Sequence, residues 1–194
     1  MTDMLQRLQV HKLWLMLIAL CFLLQFVQNS AAFDRSLIEQ GEVWRFLSGH
    51  FTHLNWSHFG LNMGGVIMVM VFFANYQSST YWLGAIVFIA LLCSAGLMLD
   101  MQLNRYVGFS GVLHGLFIIG ARFEMRRYKL SGVVLLVLIV AKLIWEQVFG
   151  AMPGSEEMTG GRVAVNAHLY GALAGGLYLM FAGRFFAGGT KVTG

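Results

Sequence analysis

The sequence predicts an all-α polytopic membrane protein, with six transmembrane helices forming one domain over residues 1–194. Of the 194 residues, 58% are hydrophobic and only 11% are charged, and the mean hydropathy is +0.68. A soluble domain usually carries about 25% charged residues, so this composition is typical of a chain in a bilayer. The second observation is that the charged residues fall between long apolar runs, as transmembrane helices require.

The individual helices follow from these runs, because each spanning helix needs roughly 20 apolar residues. The run 57–99 is long enough for two helices, which the polar stretch NYQSST at 75–80 separates. The fourth span is short if it begins at Ser110; a start below the membrane surface, beside a watery cavity, would explain this. The predicted spans are about 13–30, 58–75, 81–99, 108–122, 131–149 and 164–183.

The distribution of Lys and Arg residues predicts that both termini are cytoplasmic. With the amino terminus inside, eight basic residues lie in inner segments and four in outer segments. The net charge of +4 is therefore a topological signal, and it gives no support for a nucleic-acid partner. The inner residues are Arg7, Lys12, Arg122, Arg126, Arg127, Lys129, Arg184 and Lys191; the outer ones are Arg35, Arg45, Arg105 and Arg162.

One long loop, about 31–57, joins the first and second spans on the outer face. We expect a loop of this length and amphipathic content to pack at the membrane interface. Trp44 and Arg45 are its predicted anchors at the depth of the lipid headgroups.

Polar side chains stand at the outer ends of four predicted spans. Such residues cost several kcal/mol inside a bilayer unless they are paired, so they indicate a functional site by default. Because all four groups fall on the same side, we expect them to converge. The groups are Ser110 with His114, His168, His58 with Asn62, and Lys142 with Glu146.

Ser110 and His168 suggest nucleophilic catalysis, because a serine hydroxyl becomes reactive when a nearby base removes its proton. Small residues beside both would let the fourth and sixth spans touch. The alternative is that these residues only pack helices and the polar groups bond locally. The small residues are Gly111, Gly115, Ala167, Gly171 and Gly175.

His58 and Asn62 lie one helical turn apart and share a helix face. Their N–H groups, with the backbone N–H of Ser110, are suited to bind the oxyanion of an acyl-transfer intermediate. The alternative is a polar pair that bridges helices.

Three segments together resemble the signature regions of the rhomboid intramembrane serine proteases. These are WRF followed by HFTHLNWSHFGLN within 44–62, GFSG at 108–111 and AHLYGALAG at 167–175. The resemblance implies that Ser110 is the nucleophile and His168 its base, with His58, Asn62 and the Ser110 N–H as the oxyanion hole. It also implies a dyad without an orienting carboxylate, and neither a metal nor a cofactor.

The residue four positions after the serine is His114, where many rhomboids have an aromatic residue that stacks on the catalytic histidine. This variant is similar to the rhombosortase branch, which is associated with GlyGly carboxy-terminal sorting tails. The resemblance implies substrates with one span and a glycine-rich juxtamembrane segment, cut at the periplasmic side of a bacterial inner membrane. We expect His114 to replace the stacking ring rather than to transfer protons, and Gly108, Phe109 and Gly111 to shape the pocket.

Lys142 and Glu146 are spaced i,i+4 within the fifth span. Either they form a snorkelling ion pair at the outer interface, or they line the gap where a substrate helix enters or touch a lipid headgroup. Trp145 and Phe149 are candidate side chains for a lateral gate.

Two other functional classes remain open at this stage. A rhomboid-like protein without activity would bind single-span clients, and a small transporter or haem protein would also explain intramembrane histidines. His50, His53 and His58 have a spacing that metal ligands can adopt, but no carboxylate or cysteine lies nearby in sequence, so we expect no metal there.

Overall fold

The structure, a computed structural model, describes residues 2–185, with side chains for residues 8–182. Lys191, one of the predicted inner charges, lies outside the described residues, as do the side chains of Arg7 and Arg184. The helices are α1 (Thr2–Leu24), α2 (Gln28–Ala31), α3 (Arg35–Glu39), α4 (Arg45–Ser48), α5 (Trp56–Phe72), α6 (Ser79–Leu99), α7 (Ser110–Arg127), α8 (Lys129–Phe149), α9 (Ser155–Thr159) and α10 (Val165–Phe185).

The long helices are those of a membrane-embedded protein. Within the described residues, three segments are long and apolar enough to cross a bilayer: Leu8–Ala31, Ser79–Leu99 and Lys129–Phe149. Helix α5 is apolar but shorter, with 17 residues, and α7 carries four charged residues among its last six. Six spans and the orientation of the termini therefore stay predictions. The first helix begins at Thr2 rather than near 13, since no Gly or Pro interrupts that polar stretch.

The outer loop contains the short helices α3 and α4 and a 3-10 turn at Gly49–Phe51. It also supplies the strand β1 (Phe33–Asp34), which pairs antiparallel with β2 (Arg105–Tyr106). A ladder of two residues has no sequence periodicity to reveal it. This pairing ties the loop to the segment that leads into α7.

The prediction that Arg45 anchors the loop at headgroup depth is wrong. Arg45 is buried, and its guanidinium donates to the carbonyl oxygens of Ala32 at 2.6 Å and Asn29 at 3.2 Å. Its Nε pairs with Glu42 at 2.7 Å. A guanidinium presents five donors in a rigid fork, so it can join several chain segments at once. Arg45 therefore holds the loop together from inside, whereas Trp44 remains exposed.

Helices α7 and α10 meet with their backbones in contact through the small residues singled out in the sequence. A β-carbon at Gly115 would lie 2.5 Å from the carbonyl oxygen of Gly171, and one at Gly111 would lie 2.9 Å from that of Ala167. In the other direction, β-carbons at Gly171 and Gly175 would overlap the carbonyl oxygens of Gly111 and Gly115. Small residues at this spacing permit such an approach between membrane helices.

The main core is formed by residues of α1, α5, α6, α7 and α10. Trp14 and Trp82 are fully buried there, with ring centroids 5.7 Å apart. The Trp82 Nε1–H donates to the Ala74 carbonyl at 3.0 Å, whereas Nε1 of Trp14 has no hydrogen-bond partner among the described residues. Tyr178 of α10 donates to the Tyr81 carbonyl at 2.9 Å and fixes α10 against α6.

A Gly171→Ala variant tests the importance of the α7–α10 contact. Because the new β-carbon would overlap Gly111, we expect the helices to separate and the protein to lose about 1–3 kcal/mol of stability. Thermal unfolding in detergent micelles measures the change. The matched control is Gly176→Ala on the same helix, where a β-carbon meets open space; it should be neutral or stabilising. Equal melting temperatures for the two variants would contradict the expectation.

Candidate active site

The segment before Ser110 is held by two hydrogen bonds at Gly108. Its N–H donates to the Gly49 carbonyl at 3.1 Å, and its own carbonyl accepts from the Tyr106 hydroxyl at 2.6 Å. Gly108 has φ +123°, a conformation that L side chains rarely adopt. This turn ends the strand β2 segment and lets α7 begin at Ser110.

The amino terminus of α7 provides unpaired donors at the serine. Ser110 is the first helical residue, and no side chain caps the helix at Phe109. The first N–H groups of a helix have no partner within the helix and carry its positive partial charge. The backbone N–H of Ser110 is therefore available for an anionic oxygen, while Phe109 is fully buried and packs on Phe51.

The Ser110 hydroxyl lies within hydrogen-bond distance of a histidine on another helix. Its Oγ is 2.9 Å from Nε2 of His168, which sits in the first turn of α10 and is 6% exposed. Both residues adjoin the α7–α10 backbone contact, so the approach of the helices sets this distance.

His58 of α5 lies beside the turn that precedes Ser110, and Asn62 is one helical turn further along α5. The His58 imidazole lies against Gly108, where a β-carbon would be 2.8 Å from its Nε2. Its Nδ1 faces the Leu54 N–H at 3.4 Å, which leaves Nε2 as the protonated nitrogen. Asn62 gives one amide hydrogen to the His58 carbonyl at 2.9 Å and retains a second. Both side chains are suited to donate, although Asn62 Oδ1 is buried without a partner among the described residues.

His114 stacks on His168, with ring centroids 4.2 Å apart and planes inclined by 18°. Its Nδ1 is 2.7 Å from the Ser110 carbonyl oxygen. A carbonyl only accepts hydrogen bonds, so Nδ1 carries the proton. The ring therefore occupies the stacking position expected from the sequence. Its hydrogen bond to the Ser110 carbonyl also stabilises the first turn of α7.

Lys142 and Glu146 lie beside the imidazoles of His114 and His168. Glu146 is 2% exposed, and its two carboxylate oxygens are 3.0 and 2.9 Å from Nδ1 of His168. The Lys142 ammonium is 2.6 Å from Glu146 and 3.0 Å from Nε2 of His114. The ion pair expected from the sequence is therefore present, but α8 also turns it toward α7 and α10, which the sequence did not predict. A role of the pair in lining the substrate gap stays a prediction.

A model of the Rhomboid domain matches residues 40–185, which is more than half of the 194-residue chain. The chain belongs to the rhomboid family. Rhomboids are in general intramembrane serine proteases, in agreement with the apolar helices. No curated protein and no solved structure gives a significant match to the chain.

The site departs from the expected rhomboid arrangement in one respect. The resemblance implied a histidine with no orienting carboxylate, but Glu146 contacts His168 through both oxygens. The role of Glu146 was missed because a residue on α8 can face lipid, the interface or the bundle, and the apolar run does not fix the rotation of the helix. The available signal was that Lys142 and Glu146 are the only charges within an otherwise uncharged span.

The other candidate residues lie around the rhomboid site. Trp145 and Phe149 are 40% and 70% exposed, with ring centroids 4.7 Å apart on the outward face of α8. Their role as a gate stays a prediction, as does lipid contact by Trp44.

The two other histidines of the outer loop, His50 and His53, make structural contacts. His50 bonds to Ser94 at 2.9 Å, and His53 packs edge-on against His58 and Phe59. Burial of the imidazole is the main cause that lowers the pKa of His53 to about 3, and the neighbouring His58 lowers it further. The His53 ring is therefore neutral. Neither belongs to the one group of metal-ligating side chains found among the described residues.

A Gly108→Ala variant tests the fit between the turn and His58. We expect backbone strain of about 1–3 kcal/mol together with displacement of the His58 ring, and hence loss of most proteolytic activity. Gly150→Ala is the matched control: its φ is +83°, but a β-carbon there meets nothing within 4 Å. Cleavage and unfolding assays on both variants separate the effects. A Gly108→Ala protein as active as Gly150→Ala would refute the assigned position of His58.

Proposed function

We propose that the protein is an intramembrane serine endopeptidase that cleaves single-span membrane proteins near the outer face of the membrane. The observation that carries the proposal is the 2.9 Å distance between Ser110 Oγ and Nε2 of the buried His168, on two helices whose backbones are in contact. Family membership supports it, because rhomboids are generally proteases of this class.

The reaction follows from the donors and acceptors of the pocket. Ser110 Oγ attacks the scissile carbonyl carbon while its proton passes to Nε2 of His168. The Ser110 N–H, His58 Nε2–H and the second Asn62 N–H stabilise the oxyanion. His168 then returns the proton to the departing amide nitrogen, which leaves an acyl-enzyme. Water, deprotonated by His168, attacks the ester and releases Ser110 and the new carboxyl terminus. No metal or cofactor takes part.

The substrates are proposed to carry GlyGly-type carboxy-terminal sorting tails, as for rhombosortases. The support is the position of His114, whose imidazole stacks where other rhomboids have an aromatic residue. Physical chemistry favours a glycine-rich site, because a peptide bond must leave its helix before attack and glycine destabilises helix by roughly 1 kcal/mol relative to alanine. As for rhombosortases, the protein is proposed to lie in a bacterial inner membrane. The excess of basic residues in the predicted inner segments favours an orientation in which the site faces the periplasm.

Ser110→Ala is expected to lower cleavage of a co-expressed single-span substrate at least about 10³-fold while the protein stays folded. Ser57→Ala is the matched control, since Ser57 lies in the first turn of α5 and its hydroxyl donates, among the described residues, to the Met158 carbonyl. Mass spectrometry of the substrate's new carboxyl terminus measures the product; a free acid indicates hydrolysis and an added amine indicates transfer. Cleavage that persists in Ser110→Ala would overturn the proposal.

A fluorophosphonate probe distinguishes the enzyme from a silent client-binding protein. We expect the purified protein to be labelled at Ser110, and the Ser110→Ala protein to remain unlabelled. A folded wild-type protein that neither labels nor cleaves would favour the alternative, a rhomboid-like protein that binds transmembrane clients without cutting them.

The substrate proposal has its own test. Replacing two consecutive glycines of the tail by alanine should stabilise the local helix by about 2 kcal/mol and reduce cleavage about 30-fold. The same double substitution in the substrate's extramembrane domain is the control. An equal rate for all three substrates would contradict a requirement for glycine.

A further inference from the structure

The ring nitrogen of His168 that faces away from the serine meets a buried carboxylate. Both Glu146 oxygens lie within 3.0 Å of Nδ1, and the carboxylate group is almost without solvent contact. An ionised carboxylate only accepts hydrogen bonds, so Nδ1 must carry the proton. Nε2 of the neutral ring then presents its lone pair to the Ser110 hydroxyl. Glu146 thus selects the tautomer that a general base needs.

Lys142 balances the negative charge of Glu146. The two residues are one helical turn apart on α8, and their charged groups are 2.6 Å apart. The Lys142 side chain is 36% exposed, so its ammonium reaches Glu146 from the edge of the helix bundle. A carboxylate taken out of water without a partner would be strongly destabilising, and a bonded ammonium offsets much of that penalty.

The same ammonium occupies the point where three potential metal ligands converge. One ligand atom each from His114, Glu146 and His168 lies within 4.8 Å of the others. Lys142 Nζ is 3.0, 2.6 and 3.4 Å from nitrogen or oxygen atoms of these residues. The group is therefore better described as a carboxylate–imidazole network with its own internal cation than as a metal site.

His114 is fixed by this network as well. Its Nδ1–H donates to the Ser110 carbonyl, so its Nε2 lone pair accepts from Lys142. Each ring nitrogen of the two stacked histidines thus has one partner of the required type. Lys142 Nζ also lies 3.4 Å from Nδ1 of His168, but the two Glu146 oxygens are closer, so Nδ1 donates to the carboxylate and the longer contact is not a hydrogen bond. The arrangement favours one pattern of protons from Lys142 through Glu146 and His168 to Ser110.

We infer that Glu146 is the positioning residue of a Ser110–His168–Glu146 triad, and that Lys142 holds Glu146 in place. The inference rests on the proposed proteolytic function. When Ser110 attacks, its proton moves to His168 Nε2 and an imidazolium forms; Glu146 stays ionised and shares the Nδ1–H. The attraction between Glu146 and His168 is strongest while His168 is an imidazolium. It therefore raises the rate of the chemical step and does not strengthen substrate binding.

Glu146→Gln is the principal test. The amide has nearly the same shape, but it lacks the negative charge and can also present a donor to Nδ1, which favours the wrong tautomer. We expect kcat to fall at least about 100-fold with KM little changed, because substrate binding does not use this carboxylate. The assay uses the full-length protein in detergent or liposomes with a single-span substrate.

Glu124→Gln is the matched control for the removal of a glutamate charge. Glu124 also accepts two side-chain hydrogen bonds, from Tyr76 and Ser131. It lies on α7, 14 residues from Ser110, or about 21 Å at 1.5 Å per residue. We expect this variant to retain wild-type kcat.

Two further variants separate positioning from a purely structural role. Glu146→Asp keeps a carboxylate that is shorter by one methylene, and we expect it to recover at least about tenfold of the kcat lost in Glu146→Gln. Lys142→Met should reduce kcat by itself, but should add little to Glu146→Gln in the double variant, because Lys142 acts through Glu146.

The outcomes distinguish this inference from the proposed function. A Glu146→Gln protein with wild-type kcat, alongside inactive Ser110→Ala, would overturn the triad and leave the protease intact. A loss of kcat in Glu146→Gln that matches a loss of thermal stability, with no recovery in Glu146→Asp, would also overturn it in favour of a structural ion pair. Activity that persists in Ser110→Ala would instead remove the proposed function itself.

Discussion

The backbone contact between α7 and α10 is the constraint on which the rest of the site depends. Each of the interface glycines on the two helices faces a carbonyl oxygen of the other helix, so no β-carbon separates the two backbones at these positions. Ser110 and His168 stand directly beside this contact, and their 2.9 Å separation follows from it. If α10 moved away by about the width of a methyl group, Ser110 Oγ and His168 Nε2 would be too far apart for a hydrogen bond. In a bilayer, such close packing is also a main source of helix association, because lipid offers no hydrophobic penalty to separated helices.

The charged and imidazole groups around His168 are acceptable in an apolar bundle because they pair with one another. Glu146 and Lys142 have opposite charges, and each ring nitrogen of His114 and His168 has one partner of complementary type. A half-satisfied network would be worse than an apolar core. The same pairing that makes the buried carboxylate tolerable also fixes the proton on His168. Stability and chemical function are therefore linked through α8, whose opposite face is exposed and apolar.

The outer loop supports the site through the segment that precedes Ser110. Arg45 fastens the loop to the end of α2, and Arg35 donates to the carbonyls of Leu97 and Met98, which end α6. Gly49 then receives the Gly108 N–H, which sets the turn that introduces Ser110. Guanidinium groups suit this role because irregular backbone near a membrane leaves carbonyls that need donors. The charged residues of the loop thus serve the geometry of the site as much as the membrane interface.

The sequence by itself determined the long apolar helices, the start of α7 at Ser110 and the residues that meet at its first turn. Apolar runs and small-residue spacing are local properties, and each of the three signature segments is a continuous stretch of the chain. Only the tertiary structure decided that Glu146 and Lys142 face His168, that Arg45 is buried, and that Phe33 pairs with Tyr106. The reason is physical: a nearly all-apolar helix such as α8 carries no amphipathic stripe to set its rotation. The direction of its two charges, and the partners of a short loop segment, depend on packing between elements far apart in the chain.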